Sequence, residues 1–396
     1  MRKCNFYILL VFCMLSSCKR GTVIRELIVD NSSCNIISIN PKDIDKSGRT
    51  KISLISDEVL YIPLETSEDV LVGNVKKMVV WNGYYIIWDS MSEAIFCFDA
   101  EGKLHSKIKK QGMGPEEYPR ISDFTIDKKT GHVHIYSDVG QAIYEYSLKG
   151  GFIQKTAMDG IILSSIALLK KDTYLCYGEK LPNAVLFEDI LPDHFRYFIK
   201  SKDSIYNYQL KYRYEDNYRR LVLSKKNFSF YNDTILLTEF YGANIYKVGL
   251  DGALTLRYNV DFMTNQYHPS FTDRLDLALM EKEKKSGRLA MLYNAFYETD
   301  RYLVFNYSWG IVGLACVDKE TKKIYNLGFF LEDDYNDLSL HSSILYADND
   351  YLYQTKEPSQ LLREIKRKNR KSGTLPEFGK LSEDMNPIIV KIKLKK

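Results

Sequence analysis

An all-β fold, built as a six-bladed β-propeller, is what the sequence predicts, and three observations predict it. The first is composition: the 396 residues include 30 tyrosines and 19 phenylalanines, and aromatic side chains suit the pleated, half-buried surface of a strand. The second is a repeat. From Val59 onward short apolar runs recur between turn residues, and four such runs fill about 35 residues, the size of one blade. The third is a spacing: Ile95, Ile143 and Ile245 each stand seven residues before a turn glycine, Gly102, Gly150 and Gly252.

The first twenty residues lie outside this pattern. Arg2 and Lys3 give a charged start, and Phe6–Leu15 is an apolar run too short to span a bilayer as a helix. Ser16 and Ser17 then precede a cysteine, the shape of a secretory signal. Leu15-Ser16-Ser17-Cys18 resembles a lipobox, the bacterial lipoprotein cleavage site. That resemblance implies a lipoprotein signal peptide over 1–17 and lipidation, palmitate included, on Cys18. An ordinary signal peptide cleaved nearby is the rival reading. Several acyl chains on one residue anchor stably, since each buried methylene contributes about 0.8 kcal/mol. Residues 18–56 are polar, with Asn31-Ser32-Ser33 and Lys46-Ser47-Gly48, and read as a lipidated tether and lead-in. The propeller is expected over 57–396.

Its first unit is the plainest. Lys76–Val80 is one strand, Asn82-Gly83 is the strongest two-residue hairpin signal, and Tyr84–Asp89, Ala94–Asp99 and Lys103–Ile108 complete four strands. The second unit takes Phe124–Asp127, His132–Asp138, Ala142–Ser147 and Phe152–Thr156. The third takes Ser165–Tyr177, Phe195–Lys200 and Ile205–Lys211, with a loop at Glu179–Asp193. The fourth takes Phe228–Tyr231, Thr234–Glu239, Ala243–Leu250 and Leu254–Val260, and the fifth Leu292–Glu298, Tyr302–Asn306, Ile311–Asp318 and Lys323–Phe329. The sixth has three evident strands, Ser342–Tyr346, Tyr351–Thr355 and Pro387–Leu394. An open ring would expose unpaired edges, so the spare early strand Val59–Leu64 is expected to pair in this last blade and close the ring. Two insertions, Phe271–Arg288 and Ser359–Lys371, carry apolar residues at helical spacing among charges.

At this point the residues resemble the six-bladed β-propeller lipoprotein family of Gram-negative envelopes, common in gut bacteria. The matching pieces are Tyr61-Ile62-Pro63-Leu64-Glu65-Thr66, the run Ile95–Lys103, the loop Gly112-Met113-Gly114-Pro115-Glu116-Glu117-Tyr118 and the ending Asn386-Pro387-Ile388-Ile389-Val390. The resemblance runs from about residue 57 to the last residue and is strongest before residue 160. It implies a six-bladed ring behind a lipobox and no catalytic residue set. Glu116 departs from the family, which often has a second small residue there.

Charge and cysteines narrow the function classes. With 55 basic and 51 acidic residues the net charge is +4, and loss of residues 1–17 takes Arg2 and Lys3 with it. A near-neutral chain gives no electrostatic case for nucleic acid. Cys34, Cys97, Cys176 and Cys316 are widely spaced, without the close pairs of redox or zinc chemistry. The last three sit in apolar runs, where a buried free thiol is expected.

The candidate chemistry is thin. Gly112–Tyr118 is glycine-rich but lacks the ending of a phosphate-binding loop, and reads as a turn between the first two blades with Tyr118 over the rim. His132 and His134 share a strand face and begin a metal site only if a third ligand, Asp127 or Asp138, joins them. His105, His194, His268 and His341 stand alone. The acidic runs Glu116-Glu117 and Glu332-Asp333-Asp334 read as solvated loops. Asp89-Ser90-Met91, Asp203-Ser204-Ile205 and Asp233-Thr234-Ile235 resemble an O-glycosylation tripeptide, against the simpler reading of hairpin ends. Tyr206, Tyr208, Tyr212, Tyr214 and Tyr218 suit sugar or peptide recognition or plain strand packing.

No catalytic residue, metal ligand or cofactor is assigned, and the only membrane contact expected is the lipid anchor. The sequence points to an envelope lipoprotein, outer-membrane anchored and facing the periplasm, that binds a glycan, peptide or envelope protein partner. The competing class is a lyase- or hydrolase-type enzyme with its site in the central funnel. Fold alone does not choose. The side chains lining the central cavity do: convergent titratable groups for an enzyme, aromatic platforms for a glycan binder.

Overall fold

The computed structural model describes residues 29–32, 34–44, 50–158, 160–178, 195–202, 204–211, 226–239, 243–263, 282–283, 285–367 and 381–396. Cys18, the signal peptide, the loop 179–193, His194, Asp203, Tyr212, Tyr214, Tyr218, His268 and most of the insertion 271–288 lie outside them.

Three short strands come first: β1 (Asn35–Ser38), β2 (Thr50–Lys51) and β3 (Ser56–Pro63). The first sheet follows as β4 (Val75–Trp81), β5 (Tyr84–Asp89), β6 (Ala94–Phe98) and β7 (Leu104–Ile108). The second is β8 (Asp123–Ile126), β9 (Val133–Ser137), β10 (Ala142–Tyr146) and β11 (Phe152–Ala157). The third is β12 (Ser165–Lys170), β13 (Thr173–Tyr177), β14 (Phe195–Ser201) and β15 (Ile205–Lys211). The fourth is β16 (Phe228–Tyr231), β17 (Thr234–Thr238), β18 (Asn244–Val248) and β19 (Leu254–Asp261), with β1 added in parallel on β19. The fifth is β20 (Met291–Glu298), β21 (Tyr302–Trp309), β22 (Ile311–Asp318) and β23 (Ile324–Leu327). A small sheet then joins β2 to β24 (Phe330–Asp333) and β25 (Leu338–His341). The sixth is β26 (Tyr346–Ala347), β27 (Tyr351–Lys356) and β28 (Ile388–Leu394), completed by β3 at its edge. The α-helix α1 (Pro358–Arg367) buries Leu361 and Ile365.

Turn chemistry explains the repeat. Asn82 and Gly83 take φ of 47° and 80°, the left-handed pair that a two-residue hairpin needs. Gly102, Gly150 and Gly252 sit at φ of 81°, 85° and 81°, and each donates its N–H three residues back, to Asp99, Ser147 and Gly249. A β-bulge follows in the ladder between third and fourth strands in all three sheets. The seven-residue spacing is therefore one turn made three times, at a φ that only glycine adopts without strain.

The sheets are buried on both faces. In β5 and β6 nearly every residue is buried, and alternate residues serve different neighbours. Ile86, Trp88, Ile95 and Cys97 pack with Phe124, Ile135 and Tyr144 of the second sheet. Tyr85, Ile87, Phe96 and Phe98 pack with Tyr353 and Ile389 of the sixth. Further apolar clusters join the second sheet to the third, the third to the fourth, the fourth to the fifth and the fifth to the sixth. The arrangement is propeller-like, and no described helix is long and apolar enough to cross a membrane.

The lead-in does more than connect. Asn35–Ser38 extends the fourth sheet, and Thr50–Lys51 pairs in parallel with Leu331 and Glu332. Neither pairing was visible as alternation, because the strands are too short. The sequence also placed a sixth-blade strand over Ser342–Tyr346, where the structure has a link after β25 and only Tyr346–Ala347 in the sixth sheet. Val59–Leu64 pairs as expected: β3 runs antiparallel to β28, Tyr61 opposite Val390.

Candidate functional site

The first strands of the six large sheets face one another. A side chain links each successive pair. Lys77 Nζ donates to Asp123 Oδ1 (2.7 Å) from β4 to β8, and Ile166 N on β12 donates to Asp123 Oδ2 (2.8 Å). Ser165 Oγ donates to Asn227 Oδ1, just before β16 (2.9 Å). Ser229 Oγ on β16 donates to Phe296 O on β20 (2.5 Å). Tyr297 OH donates to Leu345 O (3.1 Å), and Tyr346 OH on β26 returns to Val80 O on β4 (3.4 Å).

Between these strands lies a pocket of about 290 Å³ lined from four sheets: Lys77, Val79 to Asn82, Phe124 to Ile126, Lys128, Phe230 and Tyr346. Its wall is aromatic and aliphatic with a few polar tips, the common make-up of a small-ligand site, at the lower end of their sizes. Trp81 is held in place: its Nε1 donates to Lys128 O (2.9 Å), its ring stacks on Tyr84 (6.5 Å, 24°), and any Cβ on Gly131 would overlap it. Lys128 Nζ lies 4.9 Å from the centre of the Phe230 ring and donates to Asn232 O (2.9 Å), while Asn349 Nδ2 donates to Asn232 Oδ1 (2.6 Å). Turns of the second, fourth and sixth sheets thus meet at Asn232. Burial and the charge of Asp348 raise the Tyr346 hydroxyl above its ordinary range, so it stays a neutral donor. No His, Arg, Cys or carboxylate is among the residues that line the pocket.

The residues singled out in the sequence lie elsewhere. His134 is buried, its Nδ1 3.0 Å from Tyr174 OH, and His132 Nδ1 is 2.7 Å from Glu145 Oε1. Gln154 Nε2 donates to the other Glu145 oxygen (2.7 Å), so the pair is bound into a polar cluster between the second and third sheets. Among the described residues no group of three or more potential metal ligands assembles. Burial pushes the His134 imidazole below its ordinary range, against the pull of Glu145 and Asp127. Tyr118 is not over the rim: it is fully buried between the first two sheets, its OH donating to Glu93 O (2.9 Å) and Ile108 O (3.2 Å). The glycine-rich loop is a turn, Gly112 N donating to Tyr118 O and Glu117 taking the Gly114 N–H.

Asp333, expected in a solvated run, is fully buried and accepts from Tyr61 OH (2.7 Å), which ties β24 to β3. Its neighbour Asp334 takes Ser53 N and Oγ. Asp89 caps the turn after β5, accepting from Asn74 N (2.7 Å) and Ser92 Oγ (2.6 Å). Tyr206 is partly exposed, while Tyr208 packs on Phe195 and Phe198. The His105 ring lies tilted against Tyr84, and His341 stands beside the exposed Phe329 and Phe330. Cys97, Cys176 and Cys316 are free and buried, Cys34 free and partly exposed. Sequence reasoning missed the pocket because its residues are ordinary strand residues, brought together only by the meeting of first strands.

Comparison with known proteins bears on fold more than on role. Residues 34–393 match the family described as a domain of unknown function, DUF4934. No curated protein matches the chain. Among solved structures, a Bacteroides fragilis NCTC 9343 protein named as exported superposes with a TM-score of 0.72 at 16% identity, covering 91% of this chain and 100% of its own. A Bacteroides vulgatus member of the duf4221 family gives 0.49 at 12%, covering 86% and 97%. Virginiamycin B lyase from Staphylococcus aureus gives 0.40 at 10%, covering 85% and 99%. At these identities the first likeness is one of fold alone.

Proposed function

The chain belongs to the DUF4934 family, and we propose that this member is a binding propeller that takes a glycan end in its central pocket. The observation that carries the reading is the pocket wall: Trp81, Phe124, Phe230 and Tyr346 stand around one small cavity with Asn82, Thr125 and Lys128 at its edges. Aromatic rings offer apolar faces to the C–H side of a sugar, and amide, hydroxyl and amine tips meet its hydroxyls. A cavity of about 290 Å³ suits one or two sugar rings better than a folded partner.

The setting follows from the same account. The six large sheets are the blades of one closed ring, with β3 as the outer strand of the last blade. Support comes from the unbroken cycle of side-chain links between first strands and from the cluster that packs the sixth sheet on the first. Cys18 carries the lipid, residues 1–17 are the cleaved signal, and the segment between Cys18 and β1 tethers the ring to the outer membrane on its periplasmic side. The exported name of the B. fragilis protein that superposes is in keeping with that location.

The test is a glycan array probed with the full chain and with a Trp81→Ala, Phe230→Ala variant. Saccharide binding that drops at least tenfold in the variant, with its melting temperature kept within about 5 °C, supports the reading. Undiminished binding by the variant, or no saccharide bound by the native chain, overturns it.

A further inference from the structure

The turns that follow the first strands of the second, fourth and sixth sheets are tied together. Lys128 lies between β8 and β9, Asn232 between β16 and β17, and Asn349 between β26 and β27. Asn232 gives an oxygen to each of the others: its carbonyl accepts from Lys128 Nζ (2.9 Å) and its Oδ1 from Asn349 Nδ2 (2.6 Å). In the cycle of side-chain links the third sheet stands between the second and the fourth, and the fifth between the fourth and the sixth. Both bonds therefore join turns of alternate sheets, over the space that the first strands enclose.

The pocket lies against the same turns. Phe230 stands two residues before Asn232 and Tyr346 three before Asn349, and both line it, as does Lys128. The Lys128 ammonium lies over the Phe230 ring, 4.9 Å from its centre, within the range of a cation–π contact. That face of the ring is taken. A ligand ring that stacks there displaces the ammonium and, with it, the bond to Asn232.

We propose that Lys128, Asn232 and Asn349 form a latch over the mouth of the central pocket, which a ligand opens on entry. Asn232 is its pivot: φ there is 50°, in the left-handed region that asparagine enters more readily than most residues. Both bonds are exposed to solvent, so each favours the closed form by only about fivefold. A latch of that strength holds the pocket shut in the free chain and still yields to a ligand. It concerns access to the pocket and not the class of ligand, and so goes beyond the glycan reading.

The test is thiol labelling of the full chain. Thr125 lines the pocket from β8 and is buried, so Thr125→Cys places a thiol inside, and Cys34→Ser removes the native thiol that is partly exposed. The probe is dithiodipyridine, neutral and close in width to a sugar ring, with mass spectrometry to place the label. Asn349 is not among the residues that line the pocket, and Asn349→Ala keeps its carbonyl bond to Asp300 N (3.0 Å). It should raise the labelling rate at position 125 about fivefold, Lys128→Met at least as much, and the two together at least about tenfold. Equal rates in the parent and in the doubly substituted chain overturn the latch. A rise with Lys128→Met alone overturns it too, because trimming a wall residue admits the probe without any latch. Label on the buried Cys97 marks a loosened fold; Asn232→Gly, which keeps the positive φ and drops only the amide, then takes that variant's place with the same rise expected. No sugar is present in the assay, so the two readings fail separately: an empty glycan array leaves the latch standing, and equal labelling leaves the glycan reading standing.

Discussion

Asn386 is the residue whose loss should open the molecule. It is buried just before β28, and its side chain makes three bonds to the segment after β3. Oδ1 accepts from Val72 N (2.7 Å), and Nδ2 donates to Glu65 O and Val70 O (both 2.7 Å). Its own N–H donates to Thr66 Oγ1 (2.9 Å). Asn386→Ala removes the three side-chain bonds, at about 1–1.5 kcal/mol each; Val72 N and Glu65 O lose these bonds, while Val70 O keeps the Ser67 N–H at 3.5 Å. The expected loss is roughly 3–5 kcal/mol. Asn386→Asp keeps the shape and one acceptor but turns two donors into acceptors facing carbonyls, so it should cost at least as much. Urea unfolding gives the free energy, and hydrogen exchange gives its place: amides of 59–64 and 388–394 should lose protection first. A loss below 1 kcal/mol, or exchange that rises evenly over all six sheets, would refute the reasoning that this joint holds early and late segments together.

Other outcomes follow from single contacts. Lys77→Ala removes the amine 2.7 Å from the fully buried Asp123 carboxylate and should cost about 3–5 kcal/mol in urea unfolding; the double variant with Asp123→Asn should recover part of it. Folded His134 sits below its unfolded value, so the unfolded chain binds the proton first. Stability from this group should be full above about pH 6.5 and fall with acid below it, and His134→Asn should flatten that slope in melting curves from pH 5 to 8. Burial pushes Cys97 up to about 12 and raises Cys176 and Cys316 further. Among the four cysteines of the described residues, only Cys34 should alkylate in the native chain, with the other three reacting in urea.

Much of the fold was legible because turns are written in few residues. Asn82-Gly83 and the glycines seven residues after Ile95, Ile143 and Ile245 located their hairpins within a residue or two. Inner strands were legible as apolar runs rather than as alternation. β6 is buried throughout since each face meets a neighbouring sheet, and only outer strands such as β11 keep the exposed, buried, exposed rhythm. β1, β2 and β26 were hidden by length, at two to four residues each. The acidic run at Asp333 misled because local composition says nothing of a tyrosine 272 residues away in the chain. The pocket was illegible for the same reason: Trp81, Phe230 and Tyr346 belong to three sheets, and no motif joins them.

A crystal structure of the chain soaked with a disaccharide tests the central claim most directly. Sugar density among Trp81, Phe230 and Tyr346 is the outcome this account predicts. Density on an outer face, with the central cavity holding only solvent, would contradict it.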